Sequence, residues 1–493
     1  MSKRAHTFEL ALTGRTADQT SYRWLYAALR EQILAGHLRP GIRLPATRDL
    51  ASQYRLSRGT IVRAFEELKA EGYIEGNVGS GTFVSRTLPD ELLKVNKAER
   101  ERGQSFAAAS RRRISGSARG VKAFPGFGDG PIGAFRANLP AVNLFPTEIW
   151  AQIAARRLRR ASVAQLVGCD AMGYLPLRRV LADYLTTSRG VKCAAEQVAI
   201  VAGSQEAIDL SVRLLVNPGD RVCMEDPGYP GAANVFASMG AEVSYVTLDD
   251  QGVRFSEKQF RRARLLYTTP GHQFPLGIAM SLPRRLQLLE WAQRTGAMIF
   301  EDDYDSEYRY SGRPVPALQG LDTHGTVLFS GSFSKVLFPS LRLGYLVVPQ
   351  DLAERVAALI SITTRHAPLL DQLIVHDFIS EGHFGRHLRR MRQIYAERRS
   401  VLLEEAQRRL AGSLEISGVA AGLQTVGWLG RGIDAESAAS AAASRKVHTT
   451  PLGRYRRRHT IPEGLQLGFA AFDLKEIRRG VQELAIALES VVR

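Results

Sequence analysis

The chain has 493 residues, too many for one hydrophobic core, so two or more domains are expected. Its 45% hydrophobic and 23% charged residues are those of a globular protein, and it contains neither an apolar run of about eighteen residues nor an apolar segment behind its basic N-terminus, which argues against membrane-spanning or secreted classes. A formal net charge of +17 favours an anionic partner such as nucleic acid, while Cys169, Cys193 and Cys223 match neither a disulfide framework nor a metal site, so no metal and a cytoplasmic location are expected.

Tyr22, Leu25, Tyr26, Leu29 and Ile33 recur at helical spacing and predict a first helix over Ser21–Ala35, stopped by Gly36. Pro40-Gly41 turns the chain. Leu44 to Ala51 opens a second helix with Pro45 near its first turn. Ser57 caps a third, in which Ile61, Ala64, Phe65 and Leu68 share one side and Arg58, Thr60 and Arg63 fall on others. Tyr73-Ile74-Glu75 and Thr82-Phe83-Val84, joined through the glycine-rich Asn77 to Gly81, then read as a hairpin. Three helices with a polar, basic end on the last and a wing directly behind it make a winged helix-turn-helix.

In Gly41-x-x-Leu44-Pro45-x-x-Arg48-x-Leu50-Ala51, Ser57-Arg58-x-Thr60-Ile61 and Gly79-Ser80-Gly81-Thr82-Phe83-Val84, this segment resembles the GntR-type winged helix over nearly all of residues 21 to 84. That resemblance implies double-stranded operator DNA as partner and a DNA-binding set of Arg48, Ser57, Arg58, Thr60, Arg63 and Gly81. Arginine and threonine side chains suit phosphate and base-edge contacts. Ala46 stands where the family usually has a serine cap, a part that Thr47 is placed to substitute. We set this domain at 15–84 and a basic, flexible linker at 85–135, where Arg111-Arg112-Arg113 and a helix near 90–101 are expected.

From residue 136 to 493, short β-branched runs alternate with long amphipathic helices, the pattern of an α/β domain with a mainly parallel sheet. Val198–Val201 is a strand whose following Gly203-Ser204-Gln205 turns into a helix, a geometry that points backbone N–H groups at an anion. Asp226-Pro227-Gly228-Tyr229 follows another strand and leaves a tyrosine free to stack on a planar ligand. Leu265–Tyr267 and Ala297–Phe300 are further strands, the second ending in Glu301-Asp302-Asp303-Tyr304-Asp305, acids placed where such sheets bind ligands. Val327–Ser330 then leads into Ser330 to Gly344, with Lys335 among Ser332 and Ser334 and with Arg342 seven residues on. An amine, hydroxyl donors and a guanidinium are what pyridoxal phosphate (PLP) chemistry requires.

In the order and spacing of these motifs, residues 136 to 493 resemble fold-type I PLP enzymes of the aspartate aminotransferase class. The resemblance implies PLP as cofactor, a catalytic set of Lys335, Asp302 and Tyr304, and a cofactor-binding set that adds Tyr229, Gly203, Ser204, Gln205, Ser332, Ser334 and Arg342. By it, Lys335 forms the Schiff base, Asp302 pairs with the pyridine nitrogen, Tyr304 bonds the ring hydroxyl and Tyr229 stacks on the ring. Joined, the two halves resemble the MocR/GabR family of transcriptional regulators, which implies a head-to-tail homodimer and a small amine, amino-acid or B6-vitamer effector.

Three positions depart from the aminotransferase pattern. Gln466 stands where an arginine usually clamps the substrate carboxylate, and a neutral amide cannot replace a bidentate guanidinium. Phe274 replaces a common asparagine, and Gly168 aligns with a tyrosine that reaches the phosphate across the dimer. Arg454, Arg456, Arg457 and Arg458 lie upstream of Gln466 as substitutes or as a solvated loop. The expected function is a PLP-dependent DNA-binding regulator; the alternative is an active aminotransferase with an appended DNA-binding domain.

Overall fold

The computed structural model describes residues 20–77, 81–86, 133–311, 316–416, 418 and 420–491. The expected helix near 90–101 and the arginine run at 111–113 lie outside the described residues. The chain divides into two compact units, Met1–Arg113 and Ile114–Arg493.

In the first unit, α1 (Ser21–Leu34), α2 (Thr47–Gln53) and α3 (Arg58–Ala70) enclose a core of Leu25, Leu29, Ile33, Leu50, Ile61, Phe65 and Leu68, spaced three and four apart as one helical face requires. Ser57 caps α3, its Oγ accepting from the Thr60 N–H at 3.1 Å. The second helix differs from expectation. It begins at Thr47, with Ala46 as a cap that offers no side chain and Pro45 outside the helix. Thr47 cannot substitute because it already occupies the first helical turn, and a cap must precede it. Strand β1 (Ile74–Asn77) pairs antiparallel with β2 (Gly81–Val84), Ile74 opposite Val84 and Asn77 opposite Gly81, which forms the wing.

The second unit is built on a seven-stranded sheet. Its strands are β3 (Val198–Val201), β4 (Arg221–Glu225), β5 (Glu242–Val246), β6 (Ala263–Thr268), β7 (Met298–Asp303), β8 (Val327–Ser332) and β9 (Gly344–Val347). The order is β3-β9-β8-β7-β6-β4-β5, and β9 alone runs against its two neighbours. A parallel sheet buried on both faces needs continuous apolar runs, and β3 and β9 are buried at every position. Apolar clusters lie on both faces, one including Ile208, Val212, Phe236 and Tyr267, another including Leu266, Leu288, Trp291 and Ile299.

A second sheet of β10 (Leu414–Ile416), β11 (Gln424–Leu429), β12 (Thr450–Pro451) and β13 (Gly464–Gly468), in the order β10-β11-β13-β12, belongs to the same unit, as does a short hairpin of Leu248–Asp249 and Gly252–Val253. Gly133 to Asn138 crosses the end of β13, with Phe135 bridged to Gly468. Several strands run past their expected ends. β7 continues through Glu301, Asp302 and Asp303, and all three acids are buried. Solvent does not balance these three charges, so each acid needs a partner or a task inside the protein.

Candidate functional site

The parallel strands end together, and β3, β4, β6, β7 and β8 each deliver a different chemical group to one cavity of about 310 Å³. β3 leads through Gly203 into helix α4 (Ser204–Leu215). Gly203 adopts φ +109°, and a side chain there would approach the Arg342 guanidinium to within 3.8 Å. The positive φ calls for glycine at this turn, and Arg342 lies within contact distance of it beside a helix N-terminus, an arrangement suited to an oxyanion. Arg342 itself adopts a left-handed φ of +51°. Ser332 ends β8 and its Oγ accepts from the Ser334 N–H at 3.1 Å, so it shapes the one-turn helix that carries Lys335.

Lys335 lines the cavity, its Nζ donating to the Asn138 carbonyl at 2.7 Å. Withdrawal from bulk water lowers its pKa to about 8, against the opposing pull of Asp305 and Asp302. An amine so placed is partly neutral near physiological pH, as a nucleophile must be. Asp302 is raised to about 7, first by burial, and hydrogen bonds from Tyr267 and Ser204 offset only part of that. Its Oδ2 accepts from Tyr267 at 2.8 Å, and its buried Oδ1 has no geometrically sound hydrogen-bond partner among the described residues.

These observations test PLP directly. A pyridinium N–H would satisfy the orphaned Oδ1 and favour the carboxylate, a phosphate would suit Arg342 at the α4 N-terminus, and the Lys335 amine is within the same cavity. The residues fit the group.

Tyr229 and Tyr304 also line the cavity. The Tyr229 hydroxyl donates to Gln205 Oε1 at 3.2 Å and Gln205 Nε2 donates to the Gly231 carbonyl at 3.1 Å, so the Gln205 side chain is engaged with protein. What Gln205 offers an anion is its place in the first turn of α4. The Tyr304 hydroxyl lies 3.0 Å from His272 Nδ1, which is also 2.9 Å from Asp305 Oδ1. Neither His272 nor Asp305 was expected from the sequence, where they read as parts of a loop and an acidic run.

Tyr455 was missed as well. It lines the cavity between Arg454 and Arg456, while the arginines around it face elsewhere: Arg454 pairs with Glu436 at 2.6 Å, and the backbone N–H groups of Arg457, Arg458 and His459 converge on the Asp226 carboxylate at 2.7–2.8 Å. A basic run in the sequence thus concealed an aromatic residue pointing inward. Gln466 is fully buried, and its Oε1 accepts from the Tyr455 hydroxyl at 2.7 Å.

In the first unit, Arg48 and Arg58 are exposed, as a surface that meets a large anion requires, and Thr60 is half-exposed beside the Ser57 hydroxyl at 2.8 Å. Arg63 lies over the Tyr22 ring at 4.1 Å. Gly81 has φ +108°, and a side chain there would strike the Arg43 guanidinium, whose Nε is 2.7 Å from the position of a Cβ. Arg43, bridged to Phe83 at the base of the wing, is a cation that the motif reading passed over. No described helix is long and apolar enough to cross a membrane, and no metal-binding cluster occurs among the described residues.

Comparison with known proteins assigns each unit separately. Residues 21–84 match the bacterial regulatory proteins of the gntR family, and residues 143–484 match aminotransferase class I and II. The "Probable rhizopine catabolism regulatory protein MocR" of Rhizobium meliloti is 41% identical over 97% of this chain and 96% of its own. The "HTH-type pyridoxine biosynthesis transcriptional regulator PdxR" of Corynebacterium glutamicum is 29% identical over 93% of this chain and 94% of its own. Among solved structures, the α-aminoadipate aminotransferase LysN of Thermus thermophilus, complexed with N-(5'-phosphopyridoxyl)-L-leucine, has a TM-score of 0.70 at 29% identity, covering 79% of this chain and 99% of its own.

Proposed function

Because the chain belongs to the MocR-type family of transcriptional regulators, a gntR-type DNA-binding domain joined to a PLP-binding aminotransferase-like domain, we propose that its cavity senses a small ligand and transmits the result to operator DNA. The observation that carries this reading is one cavity in which Lys335, the orphaned oxygen of Asp302 and the Arg342 guanidinium beside a helix N-terminus meet, while Gln466 replaces the substrate clamp. A cofactor cradle without that clamp suits retention of a ligand better than turnover.

When bound, PLP supplies an electrophilic carbonyl for amines and an electron-withdrawing ring. In this reading Lys335 holds it covalently, its amine made available by the low pKa. Asp302 would keep a proton on the ring nitrogen. Arg342, Ser204, Ser332, Ser334 and the turn at Gly203 and Gln205 would hold the phosphate, and Tyr229 and Tyr304 would meet the ring and its oxygen. A PLP molecule, or an amine, amino acid or B6 vitamer bound with it, changes regulation only by binding two arrangements of the protein unequally.

The domain of residues 15–84 contacts the operator through Arg48, Ser57, Arg58, Thr60, Arg63 and Gly81, and the basic tether of residues 85–135 links it to the sensor of residues 136–493. Val163, Leu166, Val167 and Ile362 are exposed apolar residues of the large unit, which suit a head-to-tail homodimer presenting two wings to a two-fold operator. A regulator that binds operator DNA works where that DNA is, which supports a cytoplasmic location.

The deciding experiment titrates PLP into the full chain while following visible absorbance and affinity for a duplex selected by the protein from a random pool. A change in affinity that tracks the absorbance is expected; PLP binding with unchanged affinity, together with efficient transamination, would make the chain an aminotransferase with a DNA-binding appendage.

A further inference from the structure

The wall that faces an incoming ligand is unlike an amino-acid site in two positions at once. Gln466, in the position of the carboxylate clamp, is sealed from the cavity, and Tyr455 lies in front of it. The Tyr455 oxygen is engaged on both sides, accepting from Thr450 and donating to Gln466. Its ring meets Phe274 edge-on at 5.0 Å, and Phe274 in turn meets Tyr229 at 5.8 Å and Tyr304 at 6.0 Å. Phe274 stands where many aminotransferases have asparagine. The guanidinium and the amide of that pattern have both given way to an aromatic wall whose nearest hydroxyl is already donating.

A carboxylate set against the Phe274 and Tyr455 rings would lose its water and gain no donor from them, because the unpartnered Nε2 of Gln466 is closed off behind Tyr455, a substantial penalty for an ion. An amine without the carboxylate incurs none. Resting on the sensor reading above, we propose that the effector is a primary amine whose amine-bearing carbon carries no carboxylate, and that Tyr455, Phe274 and Gln466 set this specificity. The cost falls on one substituent, so the discrimination is against the carboxylate of the amino acid and leaves the rest of the effector's body free.

The test uses the full PLP-loaded chain and three matched pairs: tyramine and tyrosine, ethanolamine and serine, putrescine and ornithine. Each is titrated while the visible absorbance is recorded. We expect the amine to half-saturate the change at a concentration at least about tenfold below that of its amino acid in every pair that responds. Equal or reversed preference overturns the inference, as does a complete lack of response to all six compounds. Arg136 lines the same cavity; amino-acid preference that disappears in Arg136→Gln would assign the clamp to that residue and likewise overturn it. Gln466→Arg should move the preference towards the amino acids, and because the unmodified chain already decides the question, failure of that variant to fold costs nothing. If no Lys335-dependent absorbance forms with PLP at all, the sensor reading itself fails, which is a different result from a preference in the wrong direction.

Discussion

The two units arrange charge in opposite ways. In the winged helix, Arg48 and Arg58 stand in solvent while the stabilising core of Leu25, Leu50, Ile61 and Phe65 lies beneath them. In the large unit the charges that matter are inside: Asp302 is buried, and Arg189 and Asp303 form a buried pair at 2.7 Å under the sheet end. A surface that greets a polyanion can be changed without disturbing its support. A cavity that grips a small molecule is part of its own support, so function and stability are read from the same side chains.

Four substitutions test this contrast between the units, and the largest effect is expected at the lysine. Lys335→Ala should abolish covalent capture of PLP, read as loss of borohydride-fixed PLP on the peptide, and a variant still labelled would refute the assignment. Arg58→Ala should weaken operator binding by about 1–3 kcal/mol if it reads a base, with the melting temperature unchanged; a large fall in melting temperature would erase the contrast between the units.

Asp302→Asn should separate the two roles that burial joins. Wild-type Asp302 is protonated in the PLP-free protein below about pH 7 and ionised above it, whereas an unfolded aspartate ionises near pH 4. Its pKa is raised on folding, so the buried charge is a cost that is fully present above pH 7. The variant should therefore bind PLP less tightly yet make the PLP-free protein more stable at pH 8, by on the order of 2–4 kcal/mol. Melting curves at pH 5 and pH 8 check this, since the gain should shrink at the lower pH. Ser57→Ala gives the smallest effect, about 1 kcal/mol of stability from the lost cap, measurable by denaturation of the first unit.

A kinetic measurement sharpens the same contrast. Lys335 is lowered to about 8, so the rate of PLP capture should rise with pH through that value and level off above it. A midpoint near that of a solvated lysine would mean that the amine is not withdrawn from water.

Most of the winged helix was legible because its signals are local: helical spacing, a serine cap and a glycine-rich turn. What the sequence misplaced there, the start of α2, turned on a single cap position, and nothing in Ala46-Thr47 says which residue is the first in the helix. In the large unit β3, β4, β6, β7 and β8 were legible for the same reason, although β6, β7 and β8 run past their expected ends. The inner surface was not legible. Tyr455 reaches the cavity from a loop more than a hundred residues away from Lys335, and His272 and Asp305 stand behind Tyr304 from segments 33 residues apart, pairings that leave no local pattern. Gln466 was recognisable only as an exception to a motif; that it is closed off by a tyrosine required the fold.

The Asp226 carboxylate gathers three successive amides from the loop after Tyr455, and the Gly228 N–H donates to the Tyr455 carbonyl at 3.2 Å. Tyr229 follows three residues after Asp226. The two tyrosines that flank the ligand space are therefore fastened to one knot, and neither can shift by much unless the other travels with it. A ligand that draws Tyr229 inward will pull the loop between β12 and β13 along with it. The loop of the second sheet is joined to the ligand space by these four hydrogen bonds.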